Sequence, residues 1–149
     1  MPKIKIVTDS SSDVLSLENI DFASAPLRII TEQSEFTDDS NLDVCKMVDF
    51  LSKYKDKSST SCPNPEDWLM SFGDADEIFC ITITATLSGS YNAALSAKQI
   101  YEEKYPDRKV FVLNSLSTGP EMKLLIEKIC ELASLGTPYE KICDEITEY

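Results

Sequence analysis

The stretch ITITATLSGSYNAA, residues 81–94, places hydroxyl side chains where an apolar strand pattern changes into a helical one. These side chains belong to Thr82, Thr84, Thr86, Ser88 and Ser90. Hydroxyl groups and the free backbone N–H groups at the start of a helix can together bind an anion, phosphate or carboxylate alike. Serine and threonine are also ordinary residues of turns and helix N-caps, so this pattern alone leaves both interpretations open.

Two more hydroxyl-rich stretches follow predicted strands. TDSSSD (residues 8–13) comes after the first strand pattern, and NSLSTGP (residues 114–120) comes after the last one. In a sheet of parallel strands the carboxyl ends meet at one edge, and ligands bind beyond that edge. We therefore expect the three hydroxyl-rich stretches to lie together there.

The elements that must position these stretches alternate between strand and helix. Near-continuous apolar runs at 77–84 and 109–114 are typical of strands buried on both faces of a parallel sheet. The pattern predicts an α/β fold, a Rossmann-like sandwich with a parallel sheet and helices on both faces. It predicts strands at 3–9, 23–30, 77–84 and 109–114, one or two helical turns in 14–20, and longer helices at 41–54, 64–72, 88–105, 119–136 and from 137 onward.

Helix boundaries and buried faces can also be predicted from spacing. Ser40 or Asn41 is expected to cap the helix at 41–54, and Asn64 with Pro65 is expected to open the next one. For the helix at 88–105 we expect a buried stripe made of Ala94, Ala97 and Ile100.

Several classes of catalytic site are excluded by what the sequence lacks. The chain contains no histidine, which removes Ser-His-Asp and Cys-His catalysis and histidine metal ligands. It has only four glycines and neither a GxxxxGK[ST] loop nor a GxGxxG fingerprint, so a nucleotide-phosphate loop is poorly supported. We expect no enzymatic activity, cofactor or metal in this chain.

The five cysteines predict neither a zinc site nor a disulfide framework, because their number is odd and no CxxC occurs. Cys45, Cys80 and Cys130 lie in apolar settings and are expected to be small core residues. Cys62 lies in a polar loop and is the thiol to test for reactivity, although an inert loop cysteine is the favoured interpretation.

Charge and length bound the class of protein. Twenty-six acidic residues against fourteen basic ones give a net charge of −12, which argues against nucleic-acid binding. The 149 residues suffice for one domain with a real core. Because no apolar run reaches membrane-spanning length and no signal peptide is visible, we expect no membrane span and a cytoplasmic location.

Four segments of the chain resemble, in order and spacing, the four blocks of the DegV family of bacterial fatty-acid-binding proteins. The segments are KIKIVTDSSSD, STSCPNPEDW, ITITATLSGSYNAA and VFVLNSLSTGPEMKLLI. The resemblance covers nearly the whole chain, and its TDSS, TSxPxP and LSGxY motifs are specific as a set. It implies the fold of the DegV N-terminal domain and a tunnel for a long acyl chain.

The resemblance also implies which residues hold the ligand. The fatty-acid carboxylate would be bound by hydroxyls of the TSxPxP loop and the LSG turn, here Thr60, Ser61 and Ser88, while Gly89 lets the backbone approach closely. Residues that match the first and fourth family blocks lie at the same mouth, namely Asp9, Ser10, Ser115 and Ser117.

The leading hypothesis is a fatty-acid-binding module without turnover that acts as a carrier for a fatty acid kinase. Two alternatives stay open at the level of sequence: a phosphotransfer domain related to dihydroxyacetone kinases, and a truncated product without function. Family members are commonly longer and carry a second α/β domain. We therefore expect residues 1–149 to form a single lipid-binding domain, with the C-terminal family domain absent and the tunnel less enclosed.

Overall fold

The structure, a computed structural model, describes residues 1–149 and contains the predicted parallel sheet. Its strands are β1 (Ile4–Asp9), β2 (Asp21–Ala25), β6 (Glu77–Thr82) and β7 (Lys109–Asn114), in the spatial order β2-β1-β6-β7. All three strand pairs are parallel, so the carboxyl ends of the strands meet at one edge of the sheet. This edge is called the carboxyl edge below.

Helices cover both faces of this sheet, which confirms the predicted α/β architecture. On one face lie α2 (Pro65–Phe72) and α3 (Ser90–Lys104), and on the other lie α4 (Gly119–Ser134) and α5 (Tyr139–Glu148). Trp68 and Phe72 of α2 are fully buried in the first core, and Ile126 and Ile129 of α4 are buried in the second. No helix is both long and apolar enough to cross a bilayer.

A second, smaller sheet is formed by the part of the chain between β2 and β6. It is antiparallel and consists of β3 (Arg28–Ile30), β4 (Glu35–Thr37) and β5 (Ser59–Ser61), with β3 in the centre. Helix α1 (Val44–Lys53) packs on it through Phe50, whose ring centroid lies 5.4 Å from that of Phe36. No residue of α1 is buried, so this helix covers the small sheet without a sealed core.

The predicted single strand over 23–30 is wrong. The chain leaves the parallel sheet after Ala25 and enters the antiparallel one at Arg28, because Pro26 has no N–H to continue a ladder. The amide of Leu27 instead donates to the Ser10 hydroxyl at 3.0 Å. This break forms the small sheet, which the sequence pattern did not predict.

Other local predictions need correction as well. Residues 14–20 contain no helix, and only a short 3₁₀ turn at Ser10–Ser12 precedes them. The cap of α1 is Asp43, whose carboxylate accepts from the Lys46 amide at 3.0 Å, rather than Ser40 or Asn41. Strand β6 ends at Thr82 and not at Thr84, since the following backbone amides bind the neighbouring loops.

Burial was also predicted incorrectly at two positions. Cys45 lies on α1, which has no buried residue, and is exposed. Cys80 is fully buried as expected, and Cys130 is half-buried. In α3, Ala94 and Ala97 are buried as predicted, but the third position of the stripe is Tyr101 rather than the exposed Ile100. The Tyr101 hydroxyl donates to the carbonyl oxygens of Gly73 and Ala75 in the loop after α2, so its polar atom is satisfied.

A bidentate ion pair ties the small sheet to α2. Arg28 donates to both carboxylate oxygens of Asp67, at 2.9 and 3.0 Å, and its Nε lies 3.4 Å from Glu35. Asp67 also completes a capping box with Asn64 at the start of α2, as the Asn64-Pro65 pattern indicated. The hydrogen bond with Arg28 lowers the pKa of Asp67, and the same contact raises the pKa of Arg28.

We expect Arg28→Gln to destabilise the protein by about 1–3 kcal/mol at neutral pH, since both side chains are mostly buried and the pair is bidentate. The pKa of Asp67 is lower in the folded state than in the unfolded state. The ion pair with Arg28 therefore stabilises the folded protein fully at pH values above the unfolded-state pKa. This stabilisation is lost as the pH falls through the folded-state pKa. The difference in the free energy of unfolding between wild type and Arg28→Gln should therefore shrink below about pH 4. Urea unfolding of both proteins at several pH values measures this difference.

Lys53→Gln is the matched control, because Lys53 pairs with Asp49 on α1 and both side chains are exposed. Its effect should stay below about 1 kcal/mol at every pH. An Arg28→Gln penalty that is the same at pH 3 as at pH 7 would contradict the assignment to Asp67.

Candidate functional site

The three hydroxyl-rich stretches meet at the carboxyl edge, as the sequence predicted. The Ser115 amide donates to the Thr82 carbonyl at 3.1 Å, and the Thr84 amide donates to the Ser117 carbonyl at 2.9 Å. The loops that follow β6 and β7 are thereby joined through their backbones. The loop after β1 joins them through the side chain of Asp9.

Asp9 is a fully buried carboxylate that connects three elements. One of its oxygens accepts from the Ile83 amide at 2.8 Å and from the Ser90 hydroxyl at 2.7 Å. The other oxygen accepts from the hydroxyl and the amide of Ser11. Because protein donors surround both oxygens, Asp9 fixes the end of β6 and the first residue of α3 rather than facing a cavity.

The LSG turn leads directly into α3. The Leu87 amide donates to the Thr84 carbonyl at 3.1 Å, and the Ser90 amide donates to the Ser88 hydroxyl at 3.2 Å. Gly89 is the N-cap residue and has no side chain of its own to cap this fifteen-residue helix, and the first turn contains no acid. The start of α3 therefore presents backbone donors and a partial positive charge.

The TSCP stretch reaches the LSG turn from the small sheet. A Cβ atom on Gly89 would lie 3.3 Å from the sulfur of Cys62, so the absence of a side chain at Gly89 allows the two segments to approach closely. Thr60 and Ser61 lie on β5, and adjacent strand residues point to opposite faces. Thr60 faces the turn, and its hydroxyl makes no hydrogen bond within the protein, whereas the Ser61 hydroxyl lies 3.4 Å from the Cys62 carbonyl.

A cavity of about 550 Å³ lies between the small sheet, α1 and the LSG turn. Its volume falls in the range of small-molecule sites. Ser88, Gly89 and Thr60 line one part of it, and apolar side chains dominate the rest. The complete lining is Leu27, Arg28, Ile29, Phe36, Asp38, Leu42, Met47, Thr60, Cys62, Ile83, Leu87, Ser88 and Gly89.

The structure divides the predicted site residues into two groups. Thr60, Ser88 and Gly89 line the cavity, whereas Ser61, Asp9, Ser10, Ser115 and Ser117 lie outside its wall. Ser10 supports the cavity wall indirectly, since its hydroxyl accepts from the amide of Leu27, which lines the cavity. Ser115 and Ser117 bond to each other in the turn after β7, and they support the loop before the LSG turn.

Sequence reasoning missed the apolar part of the cavity. Ile29 and Phe36 pair across β3 and β4, and Ile29 also pairs with Thr60 of β5, so all three side chains share one face of the small sheet. Leu42, in the loop before α1, and Met47 of α1 also line the cavity. Residues 28–37 contain only Ile29, Ile30 and Phe36 as apolar residues, without alternation, so no periodic signal in the sequence marks this wall.

The cavity contains one basic side chain and one acidic one. Arg28 is engaged by Asp67 and Glu35, so its charge is largely compensated. Asp38 is exposed at the rim. A bound anion would therefore rely on hydroxyls and backbone N–H groups rather than on a free cation. No group of three or more His, Cys, Asp or Glu side chains is arranged to hold a metal ion.

Comparison with known proteins identifies the family. The sequence model described as "Uncharacterised protein, DegV family" matches residues 3–149. The chain belongs to the DegV family. A DegV domain-containing protein of Streptococcus pneumoniae is 42% identical over 149 residues, which cover 97% of this DegV chain and 53% of the relative. The chain thus spans about half the length of the curated relatives it matches.

Solved structures of DegV proteins share the fold closely. A DegV family protein from Eubacterium eligens, loaded with heptadecanoic acid, superposes with a TM-score of 0.96 at 42% identity, over 98% of this chain and 53% of that one. The Fatty Acid Kinase (Fak) B3 protein of Streptococcus pneumoniae, loaded with linoleic acid, gives a TM-score of 0.95 at 41% identity, over 99% and 54% of the two chains. Both neighbours bind fatty acids.

Proposed function

We propose that this DegV chain forms one lipid-binding domain that binds a long-chain fatty acid in the cavity between the small sheet, α1 and the LSG turn. The observation that carries the proposal is the division of this cavity into a hydroxyl-lined part and an apolar part. Such a division matches a molecule with one carboxylate and a long hydrocarbon tail. The fatty acids bound by the structural neighbours support the same class of ligand.

In this proposal the carboxylate lies at Thr60 and Ser88, beside the start of α3. A carboxylate removed from water needs several hydrogen bonds, and charge-assisted bonds are the strongest ones available. Thr60 has a free hydroxyl, and the N-cap residue Gly89 has no side chain that competes for the N–H groups of α3, of which only the Ser90 amide is bound by the Ser88 hydroxyl. Ser61 projects from the opposite face of β5. Its hydroxyl would donate to the carboxylate only if that face of β5 were turned toward the cavity.

The tail would lie against Ile29, Phe36, Leu42 and Met47. Each methylene removed from water contributes about 0.8 kcal/mol, so this apolar part supplies most of the affinity. Met47 can adapt to tails of different shape, because its unbranched side chain has several rotatable bonds.

We further propose that the chain is a carrier whose bound acid is the substrate of a fatty acid kinase, and that it catalyses no reaction itself. The name of the pneumococcal neighbour supports such a partner. A binding role without catalysis is supported by the absence of histidine and of a glycine-rich phosphate loop from the chain.

Native mass spectrometry of the purified chain and calorimetric titration with palmitate test the proposal. We expect a retained mass that matches a long-chain acid, or saturable binding of one palmitate per chain after delipidation. ATP turnover should stay at the background level, with or without palmitate. A retained nucleotide or sugar phosphate, or a chain that binds no fatty acid, would contradict the proposal.

Gly89→Ala should raise the Kd for palmitate about three- to tenfold, which corresponds to about 0.6–1.4 kcal/mol. The new Cβ atom would lie 3.3 Å from the Cys62 sulfur, so the TSCP segment or the LSG turn must shift at the cavity wall. Calorimetry with delipidated protein measures the change.

Removing the Cys62 sulfur gives the control for that prediction. Cys62→Ala alone should keep the Kd within about twofold of wild type, and Cys62→Ala/Gly89→Ala should restore most of the affinity lost in Gly89→Ala. If the double variant binds as weakly as Gly89→Ala, the contact with Cys62 is not the cause.

A further inference from the structure

One face of the small sheet forms a wall of the cavity. Its side chains alternate with those of the other face along each strand, and they lie in two rows that cross β4, β3 and β5. The first row contains Phe36, Ile29 and Thr60, and the second contains Asp38, Leu27 and Cys62, all of which line the cavity. The second row lies just beyond the paired residues, where the Asp38 amide still donates to the Leu27 carbonyl at 2.9 Å.

Asp38 is the only charged residue in these two rows. Arg28 also borders the cavity, but it lies between two residues of this face, so its side chain leaves the strand on the opposite side. There Asp67 and Glu35 hold its guanidinium. No lysine or arginine of the chain forms an ion pair with the Asp38 carboxylate, which is exposed at the cavity rim. The wall therefore carries an uncompensated negative charge.

Asp38 lies close enough to the LSG turn for its charge to act there. Only β3 separates Asp38 from Cys62 in the second row, and since neighbouring strands are about 4.8 Å apart, the two backbones are about 10 Å apart. The Cys62 sulfur in turn reaches the LSG turn, where a Cβ atom on Gly89 would lie 3.3 Å from it. The Debye length at about 0.1 M salt is also about 10 Å, so the Asp38 carboxylate repels an anion bound at Thr60 and Ser88.

This repulsion depends on the charge of the ligand's head group. The start of α3 supplies a partial positive charge of roughly half a unit, which compensates part of the single charge of a carboxylate. A phosphate monoester carries close to two negative charges above its second pKa of about 6. Because the Coulomb energy is proportional to the ligand's charge, the repulsion from Asp38 is then about twice as large. An uncharged head group is not repelled at all.

We propose that Asp38 is a specificity-determining residue, which makes the cavity select fatty acids over single-chain lipids with a phosphate head group. Both classes of lipid share the same hydrocarbon tail, so the apolar part of the cavity cannot distinguish them. Discrimination therefore depends on the charges near the head group, among which that of Asp38 is uncompensated. This inference rests on the proposed fatty-acid function and names the lipids that the same site rejects.

Three ligands with the same sixteen-carbon tail and different head-group charge test the proposal. They are hexadecanol, palmitate and hexadecyl phosphate, which at about pH 8 carry no charge, one negative charge and close to two. Each is titrated calorimetrically into delipidated protein at about 0.1 M salt, below its micelle concentration. We expect wild type to bind hexadecyl phosphate at least about tenfold more weakly than palmitate, and this ratio should fall as the salt concentration is raised.

Asp38→Asn keeps the shape of the side chain and removes its charge. It should lower the Kd for palmitate about two- to threefold and the Kd for hexadecyl phosphate by about the square of that factor, four- to ninefold. The Kd for hexadecanol should change less than about 1.5-fold. Glu103→Gln is the control, because it changes the net charge equally but lies on the exposed side of α3, about 20 Å along the helix from Gly89. It should leave all three Kd values unchanged.

Three results would overturn the role of Asp38 while palmitate is still bound. They are wild-type protein that binds hexadecyl phosphate as tightly as palmitate, Asp38→Asn that shifts the Kd of hexadecanol as much as that of hexadecyl phosphate, and Glu103→Gln that acts like Asp38→Asn. Failure of the fatty-acid function looks different, since wild type then shows no saturable binding of palmitate. That result rejects the fatty-acid function, and the role of Asp38 is rejected with it.

Discussion

Thr60→Val and Ser88→Ala should each weaken palmitate binding by about 1–3 kcal/mol, because each removes a donor to a carboxylate that is partly withdrawn from water. The double variant should lose about a hundredfold or more in affinity. Thr60→Val keeps the shape of the side chain and removes only the hydroxyl. Calorimetric titration of delipidated protein, with palmitate below its micelle concentration, measures all three variants.

Ser61→Ala is the matched control for this prediction. Ser61 is adjacent to Thr60 on β5 but projects from the opposite face of the strand, and it lies outside the cavity lining. Its removal should change the Kd less than threefold. If Ser61→Ala weakens binding as much as Thr60→Val, the carboxylate lies on the other face of β5. If the double variant binds like wild type, the carboxylate is not held by these hydroxyls.

Much of the fold follows from the sequence, since the strongest patterns come from elements buried in the main core. Strands β6 and β7 were predicted from continuous apolar runs, α2 from the Asn64-Pro65 pattern at its start, and α4 from Pro120 at its start and Gly136 at its end. These signals are local, so no knowledge of the tertiary structure is needed to read them. The meeting of the three loops at one edge followed from the parallel order alone.

The small sheet could not be predicted in the same way. Its strands have three residues each, and they are stabilised by partners distant in sequence, such as the pairing of Ile29 with Phe36 and Thr60. A strand of this length has too few residues to show periodicity. Because Ile29, Phe36 and Met47 of the cavity wall come from this sheet and from α1, the apolar part of the cavity was missed as well.

The residues matched to the family motifs were predicted as one group, but the structure separates them by role. Whether a hydroxyl lines a cavity depends on strand register and on neighbouring donors, which a motif does not encode. Thr60 and Ser61 show the effect of register, since one position changes the face. Asp9 shows the effect of neighbours, because four donors from Ser11, Ile83 and Ser90 occupy its carboxylate.

Asp9→Ala should destabilise the protein by about 3–5 kcal/mol, since it leaves the Ile83 amide and the Ser90 hydroxyl buried without their charged acceptor. Asp9→Asn should cost less, because it keeps the shape and one acceptor oxygen. Asp13→Asn is the control: Asp13 is an exposed neighbouring acid with a φ of +57°, a conformation that asparagine tolerates. Urea unfolding measures the three variants, and an Asp9→Ala variant as stable as wild type would refute the assigned role.

Palmitate binding by Asp9→Asn then separates positioning from direct contact. If Asp9 lay against the ligand, removing its negative charge would relieve repulsion and tighten binding of the carboxylate. If Asp9 instead positions Ile83 at the cavity wall and Ser90 at the start of α3, its replacement displaces the groups that bind the ligand. We expect the second result, a Kd about three- to tenfold higher in protein that is still folded, because both oxygens of Asp9 already accept from protein donors.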